Sequence, residues 1–236
     1  MRILIIGYGK MGKMIEQIAK ERGHQIAGVV DINDSLESVS KEDVDVAIDF
    51  TIPSSIMNNI HTCLDKDIPL VVGTTGWYDN LPSIQERVEK ENKSFFYSPN
   101  FAIGVYLFRQ MNKYLAKMMD SYNNYTPSIT EIHHIHKLDA PSGTAITIAN
   151  ELLQEYSWKK EWKLDAQEGD SEMKIVAIRE GEEFGTHIVT YESQEDIIEI
   201  KHKAKSRRGL ALGAVMAAEF LQGKRGFYTM KDLIQD

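Results

Sequence analysis

A glycine-rich turn near the start of the chain restricts the fold more than any other feature. The apolar run Ile3–Ile6 is typical of a buried strand, and the letters GYGKMG follow it as Gly7–Gly12. Three glycines at this spacing form a dinucleotide fingerprint: the first permits a tight turn, the second lets the backbone approach a pyrophosphate, and the third lets a helix pack on the strand. The first amides of that helix would face the anion. The cofactor-binding residues predicted here are Gly7, Tyr8, Gly9, Lys10, Met11 and Gly12.

Asp31 closes the second apolar run and indicates which dinucleotide is used. A carboxylate at this position of a βαβ unit accepts hydrogen bonds from the ribose hydroxyls of NADH, whereas the 2′-phosphate of NADPH would meet a like charge. The following segment Ile32–Ser35 offers no arginine or lysine, and Asp34 adds a second negative charge. Lys10 or Lys13 in the glycine loop could still reach the phosphate. We therefore expect NADH to be preferred and NADPH to be accepted.

The first hundred residues alternate short apolar runs with amphipathic segments, which predicts a parallel sheet with helices on both faces. The other apolar runs are Ile26–Val30, Val44–Ile48, Ile68–Val72 and Phe95–Tyr97, and examples of the helical segments are Lys13–Arg22 and Ser54–Leu64. Two short motifs follow the last two of these strands. Because carboxyl ends of parallel strands line a ligand crevice, both motifs are candidates for ligand contact, although isolated strings of this kind are more often plain turns. Their residues are Gly73, Thr74 and Thr75, then Ser98, Pro99, Asn100 and Phe101.

After Asn100 the pattern changes to strands that follow one another, which indicates a mixed or antiparallel sheet. The predicted strands are Ser128–Glu131, Met173–Arg179, Thr186–Glu192 and Asp196–Lys203, and the predicted helices are Gly104–Met119, Thr144–Tyr156 and Leu210–Leu221. The first of these helices is expected to carry one apolar stripe of Val105, Phe108, Met111, Leu115 and Met118. The polar stretch Lys159–Glu172 is expected to be a mobile excursion. The fold class predicted is α/β: a Rossmann-like domain over residues 1–101, rejoined by 207–236 at Arg207, and a smaller α+β domain over 102–206.

Composition excludes several classes of protein. No apolar run approaches the length of about 20 residues that a membrane span needs, and the first residues lack the features of a secretory signal. A single cysteine, Cys63, excludes an internal disulfide framework and a thiolate-rich zinc site, so we expect a cytoplasmic protein. The net charge of −8 argues against nucleic acid as a partner, since phosphate binding needs a positive surface.

The stretch EIHHIHKLDAPSGTA, from Glu131 to Ala145, gathers three histidines and Lys137 just before a helix start. Pro141 suits such a start, Ser142 or Thr144 can cap it, and the amides of Gly143 and Thr144 would form an anion site. Histidines, a lysine and a helix start together favour binding of carboxylates with proton donors at hand. Zinc is the weaker interpretation, because no acidic or cysteine ligand recurs at metal spacing and Lys137 would compete. The third interpretation of the cluster is an ordinary solvated loop.

The paired histidines raise a geometric question. In a regular strand, His133 and His134 would point to opposite faces. Both serve one site only if the strand ends or bulges there.

The chain resembles the dihydrodipicolinate reductase family. The string E-x-HH-x-x-K-x-DAPSGTA is that family's most specific signature, and DFTIP at Asp49–Pro53, GTTG at Gly73–Gly76, SPNF-x-x-GV and the C-terminal GFYTMKDLI are similar to family segments in family order. The resemblance implies reduction of a cyclic unsaturated dicarboxylate with a hydride from NADH or NADPH, in the diaminopimelate route to lysine. It also implies a homotetramer built through the sheet of the second domain, which would then bind substrate and oligomerise.

The resemblance further implies the roles of single residues. On the cofactor side, the binding loops of the family are matched by Gly7–Gly12, Gly73–Thr75 and Ser98–Phe101. His133 matches the proton donor or acceptor, and Lys137 matches the partner proton donor. The substrate-binding positions are matched by His134, Gly143 and Thr144, with Ser142 beside them. No metal is expected.

Two other functions remain open from the residues. One is a dinucleotide sensor without turnover, which would be expected to lack the proton donors. The other is a related dehydrogenase of an amino acid such as aspartate, against which the full signature weighs.

Overall fold

The first hundred residues form a parallel sheet in the computed structural model, which describes residues 1–165, 169 and 171–234. The chain divides into two units, Met1–Ile103 with the segment from Arg207 onward, and Gly104–Ser206. The sheet of the first unit contains β1 (Arg2–Ile6), β2 (Gln25–Val30), β3 (Val46–Asp49), β4 (Leu70–Val72), β5 (Ser94–Tyr97) and β11 (Gly226–Tyr228). All neighbours are parallel, in the order β11-β5-β4-β3-β1-β2. The five strands predicted from apolar runs are confirmed, whereas β11 was not predicted.

Helices cover both faces of this sheet, as predicted. They are α1 (Lys10–Glu21), α2 (Pro53–Asp65), α3 (Leu81–Lys90), α6 (Arg208–Leu221) and the short α7 (Met230–Leu233). Toward one face, strand residues such as Leu4 pack with Ile56 of α2 and Ile84 of α3. Toward the other, α6 contacts α1 and three of the strands. The approach of α6 is close because Gly213 has no side chain: a Cβ there would lie 1.8 Å from the backbone oxygen of Phe101.

The second unit holds a mixed sheet in the order β10-β9-β6-β8-β7. Its strands are β6 (Thr126–His133), β7 (Glu161–Leu164), β8 (Glu172–Arg179), β9 (Thr186–Glu192) and β10 (Ile197–Lys203), and its helices are α4 (Ile103–Met119) and α5 (Gly143–Glu155). The pair β6–β8 is parallel, while β6–β9 and β9–β10 are antiparallel. Both helices pack on one face, where Ile129 and Val189 of the sheet meet Phe108 and Ile148. The predicted fold class is therefore confirmed.

Helix α4 turns a different face to the core from the one expected. Met111 and Met118, predicted to lie on the apolar stripe, are 61% and 52% exposed. The buried residues of α4 are Val105, Tyr106, Phe108, Asn112, Ala116 and Met119. The polar Asn112 lies in the middle of this face because its side-chain oxygen accepts a hydrogen bond of 2.7 Å from the hydroxyl of the buried Tyr191. The buried face of α4 is therefore rotated from the predicted stripe by about a fifth of a turn, at about 100° per residue.

The polar stretch Lys159–Glu172 contains regular structure rather than only a loop. Strand β7 lies within it and pairs in parallel with β8. Lys159 is buried, and its ammonium donates to the backbone oxygens of Gly169 and Glu172 at 2.9 and 2.6 Å. Residues 166–168 and 170, on which the predicted excursion also falls, lie outside the described residues.

Among the described helices, none is both long and apolar enough to cross a membrane.

Candidate functional site

The turn between β1 and α1 has the geometry that the dinucleotide fingerprint requires at each of its three glycines. Gly7 has φ +86°, and a Cβ there would lie 2.5 Å from the backbone oxygen of Phe50. A Cβ on Gly12 would lie 2.1 Å from the backbone oxygen of Gly7, so the helix can approach the strand only with glycine at this position. A Cβ on Gly9 would meet nothing within 4 Å. The backbone at Gly9 is therefore open to a ligand, which fits a pyrophosphate at the start of α1.

A cavity of about 490 Å³ lies where β1, β2 and β3 end. This is the switch point of the sheet, since β2 and β3 lie on opposite sides of β1. The polar side chains among its lining residues belong to Tyr8, Asp31, Asp34, Ser35, Glu37, Thr51, Ser55, Asn58, Asn59 and Thr62. No arginine or lysine is among the described lining residues. The charged side chains among the described lining residues, Asp31, Asp34 and Glu37, are therefore all acidic.

Asp31 is exposed at the edge of this cavity. Its carboxylate accepts a hydrogen bond of 3.3 Å from the backbone N–H of Tyr8, in the glycine turn. Its own N–H donates to the Asp34 carboxylate at 2.9 Å. Two carboxylates thus flank the end of β2, and one of them is tied to the predicted pyrophosphate loop.

Asp49 was not predicted as a site residue, yet it holds three cofactor-side segments together. It ends β3, is fully buried, and accepts hydrogen bonds from Thr51 (N–H, 2.9 Å; hydroxyl, 2.7 Å), Asn59 (2.8 Å) and Thr74 (2.9 Å). Burial raises the pKa of this carboxyl group, and those hydrogen bonds oppose the rise. The signal that could have found it is an acid in a buried strand before a polar turn.

The predicted loops after β4 and β5 differ in what they expose. Thr74 is buried, and its hydroxyl donates a hydrogen bond to Asp49, whereas Thr75 is exposed. A Cβ on Gly73 would lie 2.2 Å from the ring of Phe50, so this glycine is required for packing.

In the second loop only Pro99 is exposed. The hydroxyl of Ser98 donates to the backbone oxygen of Asn100 at 2.7 Å, and the side-chain oxygen of Asn100 accepts from Ala102. Phe101 is 1% exposed, so its side chain serves the core.

In the second unit, the structure separates the three histidines of the signature. Strand β6 ends at His133, which meets the condition set by the sequence for His133 and His134 to serve one site. His133 is buried and His134 is half-buried. His136 is exposed and lies 3.3 Å from the carboxylate of Glu182. His133 is therefore part of a buried group, and His136 is a surface residue.

Glu131 is the residue that joins the parts of the signature. Its side chain is fully buried in β6, two residues before His133. The backbone N–H of Ser142 donates to both carboxylate oxygens, at 3.0 and 3.1 Å, and the Arg179 guanidinium donates to one of them at 2.9 Å. Nδ1 of His133 lies 3.4 Å from the other oxygen, and Nε2 of His187 lies 3.8 Å from it. Sequence reasoning missed Glu131, Arg179 and His187.

Strand register explains why these residues meet. Glu131 lies opposite His187 on β9, and His133 lies opposite Arg179 on β8. Side chains at paired positions share a face of the sheet. Because Ile129 precedes Glu131 by two residues and packs under the helices, the whole group lies on the face covered by α4 and α5.

Burial keeps two imidazoles of this group in their neutral form. Burial and, to a smaller extent, the nearby His133 lower the pKa of His187 to about 4, while Glu131 opposes the shift. Burial also lowers the pKa of His133, again against the charge of Glu131. A negative charge placed near His133 would raise its pKa and favour the protonated donor.

The same group changes the argument about metal. The sequence indicated no acidic ligand near the histidines, but Glu131 is one: ligand atoms of Glu131, His133 and His187 lie within 4.8 Å of one another. Arg179 and the Ser142 amide already occupy the carboxylate, however, and a guanidinium at 2.9 Å repels a further cation. An ion-pair network fits these contacts better than a metal centre, so the absence of a metal stays a prediction.

The start of α5 carries the amides expected to bind an anion. Ser142 is the N-cap, and its hydroxyl accepts a hydrogen bond of 3.2 Å from the N–H of Ala145. Gly143 is exposed and Thr144 is half-buried. A Cβ on Gly143 would meet nothing within 4 Å, so the first turn of the helix is accessible. Nearby, the Lys137 ammonium lies 2.8 and 2.9 Å from the two carboxylate oxygens of Asp139.

Acidification should destabilise the protein through His187. Its pKa in the folded state, about 4, lies below the ordinary value of 6.5, so the unfolded chain binds the proton more tightly. The contribution of neutral His187 to the free energy of unfolding is therefore fully present above about pH 6.5. It is lost as the pH drops toward 4, by a total on the order of 3 kcal/mol. Thermal unfolding at about pH 7 and pH 5 should show a smaller loss for His187→Gln than for the wild type. An equal loss in both would contradict this, and the exposed His136→Gln is the control.

Comparison with known proteins agrees with the geometry. A family model described as dihydrodipicolinate reductase, N-terminus, matches residues 1–101, and its C-terminal counterpart matches residues 104–234. A 4-hydroxy-tetrahydrodipicolinate reductase of Christiangramia forsetii is 49% identical and covers 100% of this chain and 98% of its own. The enzyme of the same description from Archaeoglobus fulgidus is 36% identical and covers 94% of this chain and 88% of its own.

One solved structure agrees in fold. The dipicolinate-bound dihydrodipicolinate reductase from Paenisporosarcina sp. TG-14 has a TM-score of 0.76 at 22% identity and covers 99% of this chain and 100% of its own. At that identity the likeness concerns the fold alone. The family models, however, match nearly every residue, and the two relatives align along most of their length. The chain belongs to the dihydrodipicolinate reductase family.

Proposed function

We propose that the protein reduces the cyclic dicarboxylate 4-hydroxy-tetrahydrodipicolinate to tetrahydrodipicolinate, a step of the diaminopimelate route to lysine, with His133 and Lys137 as proton donors. The reaction takes up a hydride and a proton and releases the 4-hydroxyl group as water. The observation that carries this assignment is the buried Glu131–His133 pair, at 3.4 Å, in the same network as the accessible start of α5. A proton donor and an anion site in one network suit a substrate that is both protonated and held by carboxylates.

The cofactor loops divide the binding of a dinucleotide among them. The turn Gly7–Gly12 suits the pyrophosphate, and the cavity beside Asp31 suits the adenosine ribose. The loops at Gly73–Thr75 and Ser98–Phe101 complete the binding site, in part through backbone groups. When bound, the reduced nicotinamide supplies the hydride.

The residues of the second unit bind and protonate the substrate. The amides of Gly143 and Thr144 receive a carboxylate at the start of α5, where the helix dipole is positive. His134 and Lys137 add polar and cationic contacts. The carboxylates of the substrate raise the pKa of His133, which burial otherwise lowers, so binding itself generates the protonated imidazole. Dipicolinate, bound by the Paenisporosarcina enzyme, should occupy the same groups as a stable substitute.

The direct test is oxidation of NADH by the purified protein in the presence of freshly generated 4-hydroxy-tetrahydrodipicolinate. We expect turnover that persists after prolonged treatment with a chelator, because Arg179 rather than a metal holds Glu131. Absence of substrate-dependent NADH oxidation would refute the assignment. Loss of activity on metal removal, restored by zinc, would instead reverse the interpretation of the Glu131 network.

Replacement of Asp31 should change the choice of cofactor. We expect the wild type to have the higher kcat/KM with NADH, because the cavity carries negative charges beside the ribose. Asp31→Ser should shift the NADPH/NADH ratio toward NADPH by roughly tenfold, since a like charge near the 2′-phosphate is removed. Steady-state kinetics with both cofactors measure the ratio. Asp79→Ser, an exposed acid elsewhere in the first unit, is the matched control. A wild type that favours NADPH, or an unchanged ratio in Asp31→Ser, would remove Asp31 from the site.

A homotetramer in the cytoplasm completes the proposal. The face of the mixed sheet opposite α4 and α5 carries aliphatic side chains, of which Ile178 and Ile197 are 38% and 56% exposed, and Ile132, Val176 and Ile188 are half-buried. An apolar sheet face of this kind suits a contact with a second copy. Sedimentation should give a tetramer for the wild type and smaller species for Ile178→Asp/Ile188→Asp. A variant of unchanged mass would contradict the use of this face.

A further inference from the structure

The ion pair of Glu131 and Arg179 contacts each of the three segments that the proposed function requires. Glu131 faces the imidazole of His133 and accepts the N–H of Ser142, the residue that caps α5. Arg179 donates to the backbone oxygens of Lys137 and Asp139, at 3.4 and 2.5 Å, and so holds the segment that carries the lysine. The proton donor, the anion site and the cation are therefore fixed to one pair of charges.

We propose that Glu131 and Arg179 are positioning residues that hold His133, Lys137 and the start of α5 in one fixed arrangement for a dicarboxylate substrate. The inference rests on the proposed function for the identity of those three groups. Neither residue is assigned contact with the substrate. They act through the groups that do.

The physical cost of this arrangement argues for a specific role. A carboxylate with no solvent exposure loses its hydration, and only a charge partner and hydrogen bonds offset that loss. Glu131 has both, and each of its contacts ends on a segment of the proposed site. A pair needed only for stability could be replaced by apolar side chains of similar size with little loss. Geometry at a reacting centre cannot be replaced in this way, because displacement of a group by about 1 Å can cost on the order of 10²-fold in rate.

The electrostatic surroundings of His133 come from several elements. From β6, β9 and β8 it is faced by Glu131, His187 and Arg179, and from the segment before α5 by Lys137 and Asp139. Of these, Glu131 raises the pKa of His133 most strongly, while the two cations lower it. Removal of the negative charge should therefore lower the pKa of His133 further.

The experiment compares Glu131→Gln with Glu151→Gln. Glu151 forms the bidentate pair with Arg109 between α4 and α5, at 2.6 and 3.0 Å, and is a matched control in the same unit. For Glu131→Gln we expect kcat to fall by roughly 10- to 100-fold and the affinity for dipicolinate to fall as well. NMR titration of the imidazole should give a lower pKa for His133, and the basic limb of the pH–rate profile should move to lower pH. Glu151→Gln should lower thermal stability and leave these four quantities unchanged.

A second variant covers the case in which Glu131→Gln fails to fold. Glu131→Asp keeps the charge but withdraws the carboxylate by one methylene group, so kcat and dipicolinate affinity should fall while the pKa of His133 stays close to the wild-type value. Folded variants with wild-type kcat, dipicolinate affinity and imidazole pKa would overturn the proposal. His133→Gln, measured in parallel, separates the two hypotheses. If that variant keeps full turnover, the donor assignment has failed, and the imidazole titration and dipicolinate binding still decide whether Glu131 positions the site.

Discussion

Replacing His133 by glutamine should lower kcat by roughly 10²–10⁴-fold, the contribution expected of a positioned proton donor. Glutamine retains a polar side chain of similar length but cannot carry the proton. The first unit, which contains the dinucleotide loops, does not include position 133, so NADH affinity should stay at the wild-type value. Single-turnover measurement of NADH oxidation gives the chemical step directly, and fluorescence titration gives the NADH affinity.

The control for this prediction is His136→Gln. His136 lies three residues further along the same signature but is exposed, with Glu182 as its neighbour. Wild-type kcat is expected for it. A folded His133→Gln protein with unchanged kcat would exclude His133 as donor, and equal losses in both variants would point to a general disturbance of the loop.

Replacing Lys137 by methionine should lower kcat by a comparable factor, roughly 10²–10⁴-fold, and also raise KM. The lysine is expected to serve both steps, because a cation beside two carboxylates contributes to binding as well as to proton transfer. Methionine keeps the length of the side chain and removes its charge. Steady-state kinetics over substrate concentration separate kcat from KM.

Two variants make the result specific to the ammonium group. Lys117→Met removes an exposed lysine from α4 and should leave both constants unchanged. Asp139→Asn removes the carboxylate that lies 2.8 Å from the Lys137 ammonium but keeps the cation, so it should not reproduce the loss. A full loss in Asp139→Asn would assign the effect to the ion pair, and a defect of Lys137→Met confined to thermal stability would favour a solvated loop.

The sequence was sufficient to predict the parallel sheet because β1, β3, β4 and β5 are buried on both faces and appear as apolar runs. Strand β11 escaped prediction since Gly226–Tyr228 is a short run whose place beside β5 depends on tertiary pairing. The stripe on α4 was wrong at Met111 and Met118 for a related reason. A buried Asn112 cannot be recognised until Tyr191, its partner from β9, is in place.

In the site, too, features that depend on neighbouring residues could be predicted, whereas features that depend on strand pairing could not. The glycine turn and a cap at Ser142 or Thr144 are local and could be predicted. The strand was predicted over Ser128–Glu131 and extends to His133, whose position at the strand end the sequence stated only as a condition. Arg179 and His187 belong to the site only through the register of β8 and β9 with β6. Glu131 was visible as the first residue of the signature, but its role depends on those two strands. Local sequence therefore indicated the groups expected to contact the substrate and missed the residues that hold them.

The order of segments along the chain has a consequence for synthesis on the ribosome. The first unit is completed by α6 and β11, which follow the whole of the second unit in sequence. Until α6 emerges, one face of β3, β4 and β5 lacks its main helix, including the close contact of Gly213 with Phe101. The second unit is continuous in sequence, so it can bury its core before α6 is synthesised. Translation proceeds at about 5–20 residues per second, which makes this delay several seconds long. The nascent first unit therefore exposes apolar strands during that interval, and this is the stage at which a chaperone would bind the chain.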